Sequence, residues 1–170
     1  TTPLLLTADP KLPAPGSNAA WGRLIGASLA LAAAELARTS ERPILVLAED
    51  PRHADQLEAE IRFFGGDAMP VEHFVEWETL PWDSFSPHQD IISQRLRVLA
   101  ELPGMTHGVI IAAATVLQQR LPPVEYVAAG SLSLQQGREL PRGPFTDSLV
   151  ESGYLRVPQV SEHGEFAVRG

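Results

Sequence analysis

Apolar residues follow two different spacing patterns along the first two thirds of the chain. Two short runs are entirely apolar, residues 44–48 and 109–114, and such runs are typical of strands that are covered on both faces. Around them, apolar residues recur at helical spacing over about 19–38, 51–64 and 90–102. Helices that alternate with apolar strands predict an α/β domain built on a parallel sheet.

Capping residues and prolines indicate where several of these elements begin and end. Ser17 or Asn18 is a candidate cap for the first helix, and Asp50-Pro51 is predicted to begin the second. Residues 69–71 are predicted to form a short edge strand. Thr115 is predicted to cap a short helix that ends at Pro122-Pro123.

The hydrophobic pattern changes after Pro122-Pro123, which predicts a domain boundary there. A helix is predicted from Gly143-Pro144 to about Ser152, with Gly153 at the position after the helix that favours glycine. The predicted strands of this part are 126–134, 154–160 and 165–170. The mixture predicts a small α+β domain.

The chain is therefore divided into three parts. Residues 1–17 carry four prolines and are predicted to be an arm, with at most a short strand at 4–6. Residues 18–123 are the predicted α/β domain, and residues 124–170 are the predicted beginning of the α+β domain. The start at Thr1 rather than Met, and an end inside a strand-like run, predict a fragment of a longer protein.

Composition narrows the functional classes. A net charge of −8 argues against broad, non-specific attraction to nucleic acid, since that needs clustered lysine and arginine. The chain has no cysteine, which excludes disulfides and thiolate metal sites and fits a cytoplasmic protein. No apolar run approaches the ~18 residues needed to cross a bilayer, so no membrane association is predicted.

A phosphate-binding loop is the first site to test in an α/β domain. Such a loop needs glycines, a lysine for the β- and γ-phosphates and a Ser or Thr for magnesium. Lys11 is the sole lysine of the chain, and it is followed by Leu12 rather than by Ser or Thr. We therefore predict neither a bound cofactor nor ATP hydrolysis by this chain.

The most distinctive stretch is 77–90, which is rich in aromatic residues and prolines. Ser84, Ser86, His88 and Asp90 are the residue types of a hydrolytic triad, but triad members normally converge from separate elements of a fold. We favour a structural interpretation, in which Ser86 caps the following helix, Pro87 lies in its first turn and Asp90 lies near its positive end.

The aromatic residues of this stretch allow two interpretations. Trp77, Trp82 and Phe85 could stack on the bases of single-stranded nucleic acid, but that use requires neighbouring basic residues. The neighbours are instead acidic: Glu72, Glu76, Glu78, Asp83 and Asp90. We therefore predict that the aromatic residues pack the loop over the sheet. The five histidines show no metal-ligand spacing, so no metal site is predicted.

The stretch 77–96 closely resembles the N-terminal part of the bacterial transcription-repair coupling factors, the Mfd family. The resemblance continues through 108–111, 114–120, 136–137, 152–154 and 162–170, and it covers roughly residues 20–170. The residues that identify the family are Trp77, Pro81, Trp82, Asp83, Phe85, Pro87, His88 and Asp90.

The resemblance implies a fold and a role. The N-terminal module of these factors is similar to the repair protein UvrB: a degenerate RecA-like domain, of P-loop NTPase type, is followed by a small α+β domain that binds UvrA. In UvrB a Walker A sequence precedes the first helix. The corresponding turn here, near 24–28, lacks lysine, and between Phe85 and His88 there is no room for UvrB's DNA-gripping hairpin.

The resemblance also implies partners. Arg169 lies in the Glu-x-x-x-Arg-Gly strand and matches an arginine of the UvrA-contacting face. The parent protein would displace stalled RNA polymerase with an ATP- and magnesium-dependent DNA translocase outside this chain, and a C-terminal domain would cover the UvrA-binding face at rest. The alternative is a nucleotide-dependent RecA-type domain or DNA-binding domain of another repair helicase.

Overall fold

The computed structural model describes residues 12–80, 82–131, 134 and 136–169. The predicted strand at 4–6 lies outside these residues. The chain divides into two compact units, which meet in sequence between Pro122 and Pro123. Among the described residues, no helix is long and apolar enough to span a membrane.

A parallel three-stranded sheet is the centre of the first unit. Its strands are β1 (Ile44–Ala48), β2 (Val71–Phe74) and β3 (Val109–Ala113), in the order β1-β3-β2. Ile44 and Val71 both lie opposite Val109, so the two outer strands pair with β3 from the same starting level. The prediction of an α/β domain with a parallel sheet is confirmed.

Three helices connect and cover the strands: α1 (Ser28–Thr39), α2 (Pro51–Gly65) and α3 (Gln89–Glu101). The start of α2 agrees with the sequence signal, because the Asp50 side chain accepts a hydrogen bond of 2.8 Å from the His53 N–H and Pro51 follows the cap. A glycine with a φ of 71°, Gly66, ends α2.

The core consists of two apolar clusters. In one, alanines of α1 and the α2 residues Leu57 and Ile61 pack with Val109 and Ile111 of β3. In the other, Val98 of α3 packs with Phe74 and Ala112. Ile61, Val98, Val109 and Ile111 are fully buried, and each such side chain contributes roughly 1.5–3 kcal/mol through burial.

The predicted start of the first helix was wrong. Helix α1 begins at Ser28, not near residue 19. Gly26 has a φ of 58°, which a right-handed helix cannot contain. Ile25 is 81% exposed, so helical structure before Ser28 would have gained little from packing.

The strand β2 begins two residues later than predicted, at the point where three chain segments meet. Pro70 lacks an N–H, but its carbonyl accepts a 2.9 Å hydrogen bond from the Val109 N–H. The neighbouring Gly108 has a φ of 104°, and a Cβ there would lie 2.4 Å from the Pro70 carbonyl oxygen. Only glycine fits this position, since any side chain would collide with backbone.

The segment after β3 also differs from the prediction. A short 3-10 helix runs over Ala114–Gln118 and has no side-chain cap, so Thr115 is not its cap and the helix ends before Pro122.

The second unit contains α4 (Val124–Gly130), α5 (Arg142–Glu151) and a parallel pair of two-residue strands, β4 (Leu155–Arg156) and β5 (Glu165–Phe166). The predicted strand over 126–134 was wrong, because residues up to Gly130 are helical. The strand preference of the Tyr126-Val127 pair is a weak signal that structural context overrides. The two C-terminal strands are shorter than predicted.

The end of α5 confirms the prediction for Gly153. This residue has a φ of 88°. The Gly153 N–H donates to the Val150 carbonyl at 3.0 Å, and the Tyr154 N–H donates to the Leu149 carbonyl at 2.9 Å. These two bonds form a Schellman motif, which satisfies carbonyls that would otherwise be unpaired at the helix end.

Candidate partner-binding surfaces

The aromatic loop, residues 75–88, connects β2 to α3 and therefore starts at the carboxyl end of a parallel strand. Ligands of open α/β sheets commonly bind at this edge. The loop and the 3-10 helix after β3 together line a cavity of about 700 Å³, here called the loop cavity. Its lining includes Trp77, Leu80, Phe85 and the two acidic residues Glu76 and Asp83.

A buried arginine fixes the start of the aromatic loop. Arg95 of α3 is 3% exposed, and its guanidinium carbon lies 4.2 Å from the ring centroids of both Phe74 and Trp77. The same guanidinium donates hydrogen bonds to the Val75 carbonyl and, at 3.0 Å, to Gln119 Oε1. Burial lowers the pKa of Arg95, and the negative charge of Glu76 opposes that shift.

Sequence reasoning did not identify Arg95 as a structural or functional residue. A signal existed, since Arg95 follows Ile92 by three positions and precedes Leu99 by four, so that it shares their face. Arg97, which follows Arg95 in α3 by two positions, lies nearer the surface. It forms salt bridges of 2.8 Å with Glu72 and with Glu101. These contacts raise the pKa of Arg97, with the Glu72 hydrogen bond as the largest cause.

The aromatic residues of the loop do not all pack over the sheet. Trp77 is partly buried against Arg95, as the packing interpretation requires. That interpretation was wrong for Trp82 and Phe85, whose exposed fractions are 79% and 78%. Pro81 lies outside the described residues. The loop therefore has one anchored aromatic residue and two that are open to solvent.

The helix after the loop is capped by His88, not by Ser86. The His88 Nδ1 accepts a 3.3 Å hydrogen bond from the Asp90 N–H, and Pro87 precedes the cap instead of lying in the first turn. The Asp90 carboxylate lies 3.2 Å from the same nitrogen and in the first turn of α3, where it is favourably placed. Because His88 serves this cap, the local geometry does not resemble a nucleophile and its base.

Three potential metal ligands converge, although the sequence predicted no such cluster. One ligand atom each from Asp55, Glu58 and His73 lies within 4.8 Å of the others. His73 is buried, and its Nδ1 lies 2.8 Å from Glu58 Oε2, which is a direct hydrogen bond. Arg62 donates to the other oxygen of Glu58 and to the Val71 carbonyl. These contacts tie α2 to β2.

The turn before α1 is where the resemblance places the equivalent of a phosphate-binding loop. Gly26 and Arg23 have φ values of 58° and 64°, and the helix begins at Ser28 immediately afterwards. No lysine is present in this turn, and Lys11 lies outside the described residues.

Arg169, the residue expected to contact UvrA, lies on the surface of the second unit. It follows β5 by three residues and is exposed, whereas Phe166 in β5 is 9% exposed. The strand pair is fixed by hydrogen bonds of 2.8 and 2.9 Å, from the Leu155 N–H to the Gly164 carbonyl and from the Val157 N–H to the Phe166 carbonyl. Arg169 therefore extends from an anchored segment.

The turn before β5 is stabilised by a carboxylate. Glu165 Oε2 accepts hydrogen bonds from the backbone N–H groups of Ser161 at 2.8 Å and Glu162 at 3.0 Å. These bonds favour the ionised carboxylate and lower the pKa of Glu165, with the Ser161 bond as the largest cause.

Comparison with known proteins assigns the second unit to a class. The family model of the UvrB interaction domain matches residues 132–170, a segment that contains α5, both short strands and Arg169.

The whole chain resembles one group of relatives. It is 43% identical to the transcription-repair-coupling factor of Escherichia coli over 155 residues, which is 91% of the chain and 13% of that protein. The corresponding protein of Haemophilus influenzae is 35% identical over 95% of the chain and 14% of the relative. That of Mycobacterium bovis is 37% identical over 82% of the chain and 12% of the relative.

The chain is thus a UvrB-like segment and belongs to the transcription-repair-coupling factor family. It spans about an eighth of the length of these relatives.

Proposed function

We propose that this segment recruits UvrA to its parent protein and has no catalytic activity of its own. The observation that carries the proposal is the UvrB interaction domain match over 132–170, since that domain type is defined by a repair-protein interaction. In the parent protein, this recruitment would link UvrA to a translocase that displaces stalled RNA polymerase from DNA.

Arg169 is the proposed contact residue. Its exposure leaves the guanidinium open to a partner, and Phe166 and the strand pair hold the backbone three residues before it. The planar guanidinium of arginine can form two parallel hydrogen bonds with a carboxylate. We therefore propose that it meets an acidic residue of UvrA.

The first unit would support this role as a degenerate RecA-like domain. The turn before α1 has no lysine for phosphates, which supports a non-enzymatic role for this segment. ATP and magnesium would then act only in the motor modules of the parent protein.

Binding of purified UvrA, measured by calorimetry, tests the proposal, with this chain and the full-length coupling factor assayed in parallel. The Arg169→Ala substitution is expected to weaken binding by about 2 kcal/mol, roughly thirtyfold, as is typical of an interface hot spot. Arg138→Ala is the matched control, because Arg138 is also an exposed arginine of the second unit.

Two results would contradict the proposal. Unchanged affinity of a folded Arg169→Ala variant in both proteins would remove Arg169 from the interface. Absence of UvrA binding to the full-length protein, together with a thermal shift of this chain by magnesium-ATP, would favour the alternative of a nucleotide-dependent domain.

A further inference from the structure

The loop cavity of the first unit is lined by both apolar and acidic residues. Trp77, Leu80 and Phe85 provide apolar and aromatic surface, while Glu76 and Asp83 provide carboxylates. At about 700 Å³ the cavity is large enough for a long side chain and its flanking backbone. Aromatic faces beside carboxylates are the surroundings that a cation prefers.

Carboxylates predominate among the charged residues of the aromatic loop and the start of α3. Residues 75–94 contain four carboxylates, those of Glu76, Glu78, Asp83 and Asp90, and no lysine or arginine. Arg95 and Arg97 of α3 are already engaged with the loop backbone, Gln119, Glu72 and Glu101. Arg120, which follows the lining residue Gln119, is exposed, so the carboxylates of the segment outnumber the basic side chains next to it. The negative electrostatic potential of these carboxylates would therefore attract a cationic partner.

The protein itself uses this chemistry on the inner side of the loop. The Arg95 guanidinium lies 4.2 Å from the centroid of the Trp77 ring and interacts with the charge of Glu76. Both Trp77 and Glu76 also line the loop cavity. The Arg95 contacts are thus an example, within this fold, of how these two residues hold a guanidinium.

We propose that the loop cavity binds an arginine side chain from a basic, partly apolar segment of a partner protein. The guanidinium would lie between the aromatic walls and pair with Asp83 or Glu76. The Asp83 carboxylate is held by its Oδ2, which accepts a 2.7 Å hydrogen bond from the Leu80 N–H. The exposed ring of Trp82, which precedes the lining residue Asp83 in sequence, would cover apolar residues of the partner.

A protein partner fits this surface better than single-stranded nucleic acid. Bases can stack on exposed aromatic rings, but four carboxylates in the same segment repel the phosphates that accompany them. The cavity lining belongs to the first unit and Arg169 to the second, so the two proposals rest on different residues and can be tested separately.

The probe is a capped pentapeptide, Gly-Arg-Leu-Arg-Gly, titrated into the whole chain while the indole N–H signals are followed by NMR. Matched peptides carry lysine or citrulline in place of arginine. Citrulline preserves the shape of arginine without its charge. We expect saturable shifts of the Trp77 and Trp82 signals with arginine, weaker binding with lysine, and at least a tenfold loss with citrulline.

Two substitutions localise the site. Phe85→Ala and Asp83→Asn are each expected to weaken binding of the arginine peptide about 5- to 10-fold. The asparagine keeps an oxygen that can accept from the Leu80 N–H, so the loop conformation is retained. The matched controls are Phe63→Ala, at an 80% exposed ring of α2, and Asp67→Asn, at an exposed residue after that helix. Both controls should bind normally.

Each of three results would overturn the proposal: no saturable shift with the arginine peptide, equal affinity for the citrulline peptide, or equal losses in the control and cavity variants. Tighter binding of an oligothymidine than of the arginine peptide, lost on Phe85→Ala, would also overturn it and assign the surface to nucleic acid.

Discussion

The two units of the chain are stabilised by different interactions. The first unit extends to Pro122 and the second begins at Pro123. The first unit places helices on both faces of a parallel sheet, and its largest fully buried side chains are Ile61, Val98, Val109 and Ile111. In the described part of the second unit, the buried apolar residues are Val127 and Phe166, and α5 buries none of its residues. There, the Schellman motif at Gly153 and the Glu165 turn supply much of the local order.

The difference in core size between the two units indicates where each of them can offer a binding surface. A unit with a full core can leave aromatic residues such as Trp82 and Phe85 in a loop without losing its fold. A unit with little core exposes much apolar surface, including Tyr126, Val150 and Leu155, and such surface is typical of interaction sites. The chain also offers separate probes, since its three tryptophans lie in the first unit and its two tyrosines in the second.

The largest effect on stability is expected from the substitution Gly108→Ala. The substitution forces a side chain into a φ of 104° and against the Pro70 carbonyl, which should destabilise the first unit by about 3 kcal/mol. Urea unfolding followed by tryptophan fluorescence measures this loss. Gly104→Ala is the control, because a Cβ at Gly104 meets nothing within 4 Å. Equal stability of the two variants would contradict the close packing inferred at the start of β3.

A smaller effect is expected from Arg95→Ala. It removes contacts with two aromatic rings and leaves the Val75 carbonyl and Gln119 without their donor, a loss of about 2 kcal/mol. Chemical denaturation with tryptophan fluorescence reports both stability and the Trp77 environment.

Arg52→Ala serves as the control for Arg95, because Arg52 is an exposed arginine of α2 and exposed substitutions usually change stability by less than about 0.5 kcal/mol. Arg95→Lys should restore little, because lysine lacks the planar fork that reaches both acceptors. Full recovery by lysine would show that only charge is needed at this position.

The smallest effect on stability is expected from protonation of Glu165, which belongs to the unit with little core. Since its folded pKa lies below the usual value of 4.5, its contribution to stability is present above that value and is lost as the pH falls through the folded pKa. Tyrosine ring resonances and the carboxyl titration of Glu165, both measured by NMR, follow the change. Glu165→Gln should abolish this acid dependence, whereas Glu162→Gln should retain it. Equal acid dependence in both variants would remove the carboxylate from this role.

Particular residues show why some features could be predicted and others could not. The runs at 44–48 and 109–114, the Asp50-Pro51 start and Gly153 carry local signals strong enough to decide their structure. Residues 19–27 and 126–130 were misread because periodicity and strand preference are weak where little is buried. Exposure of Trp82 could not be predicted, since an aromatic residue packs only where a partner is within reach.

The sequence by itself determined the α/β class, the family and the absence of a lysine at the turn before α1, because these depend on local pattern and residue identity. Only the tertiary structure decided that Arg95 lies between Phe74 and Trp77, that Glu76 and Asp83 share one cavity with Phe85, and that Gly108 lies against Pro70. The Arg95 and Gly108 contacts join residues far apart in the chain, and their geometry is fixed when the sheet brings its strands and helices together.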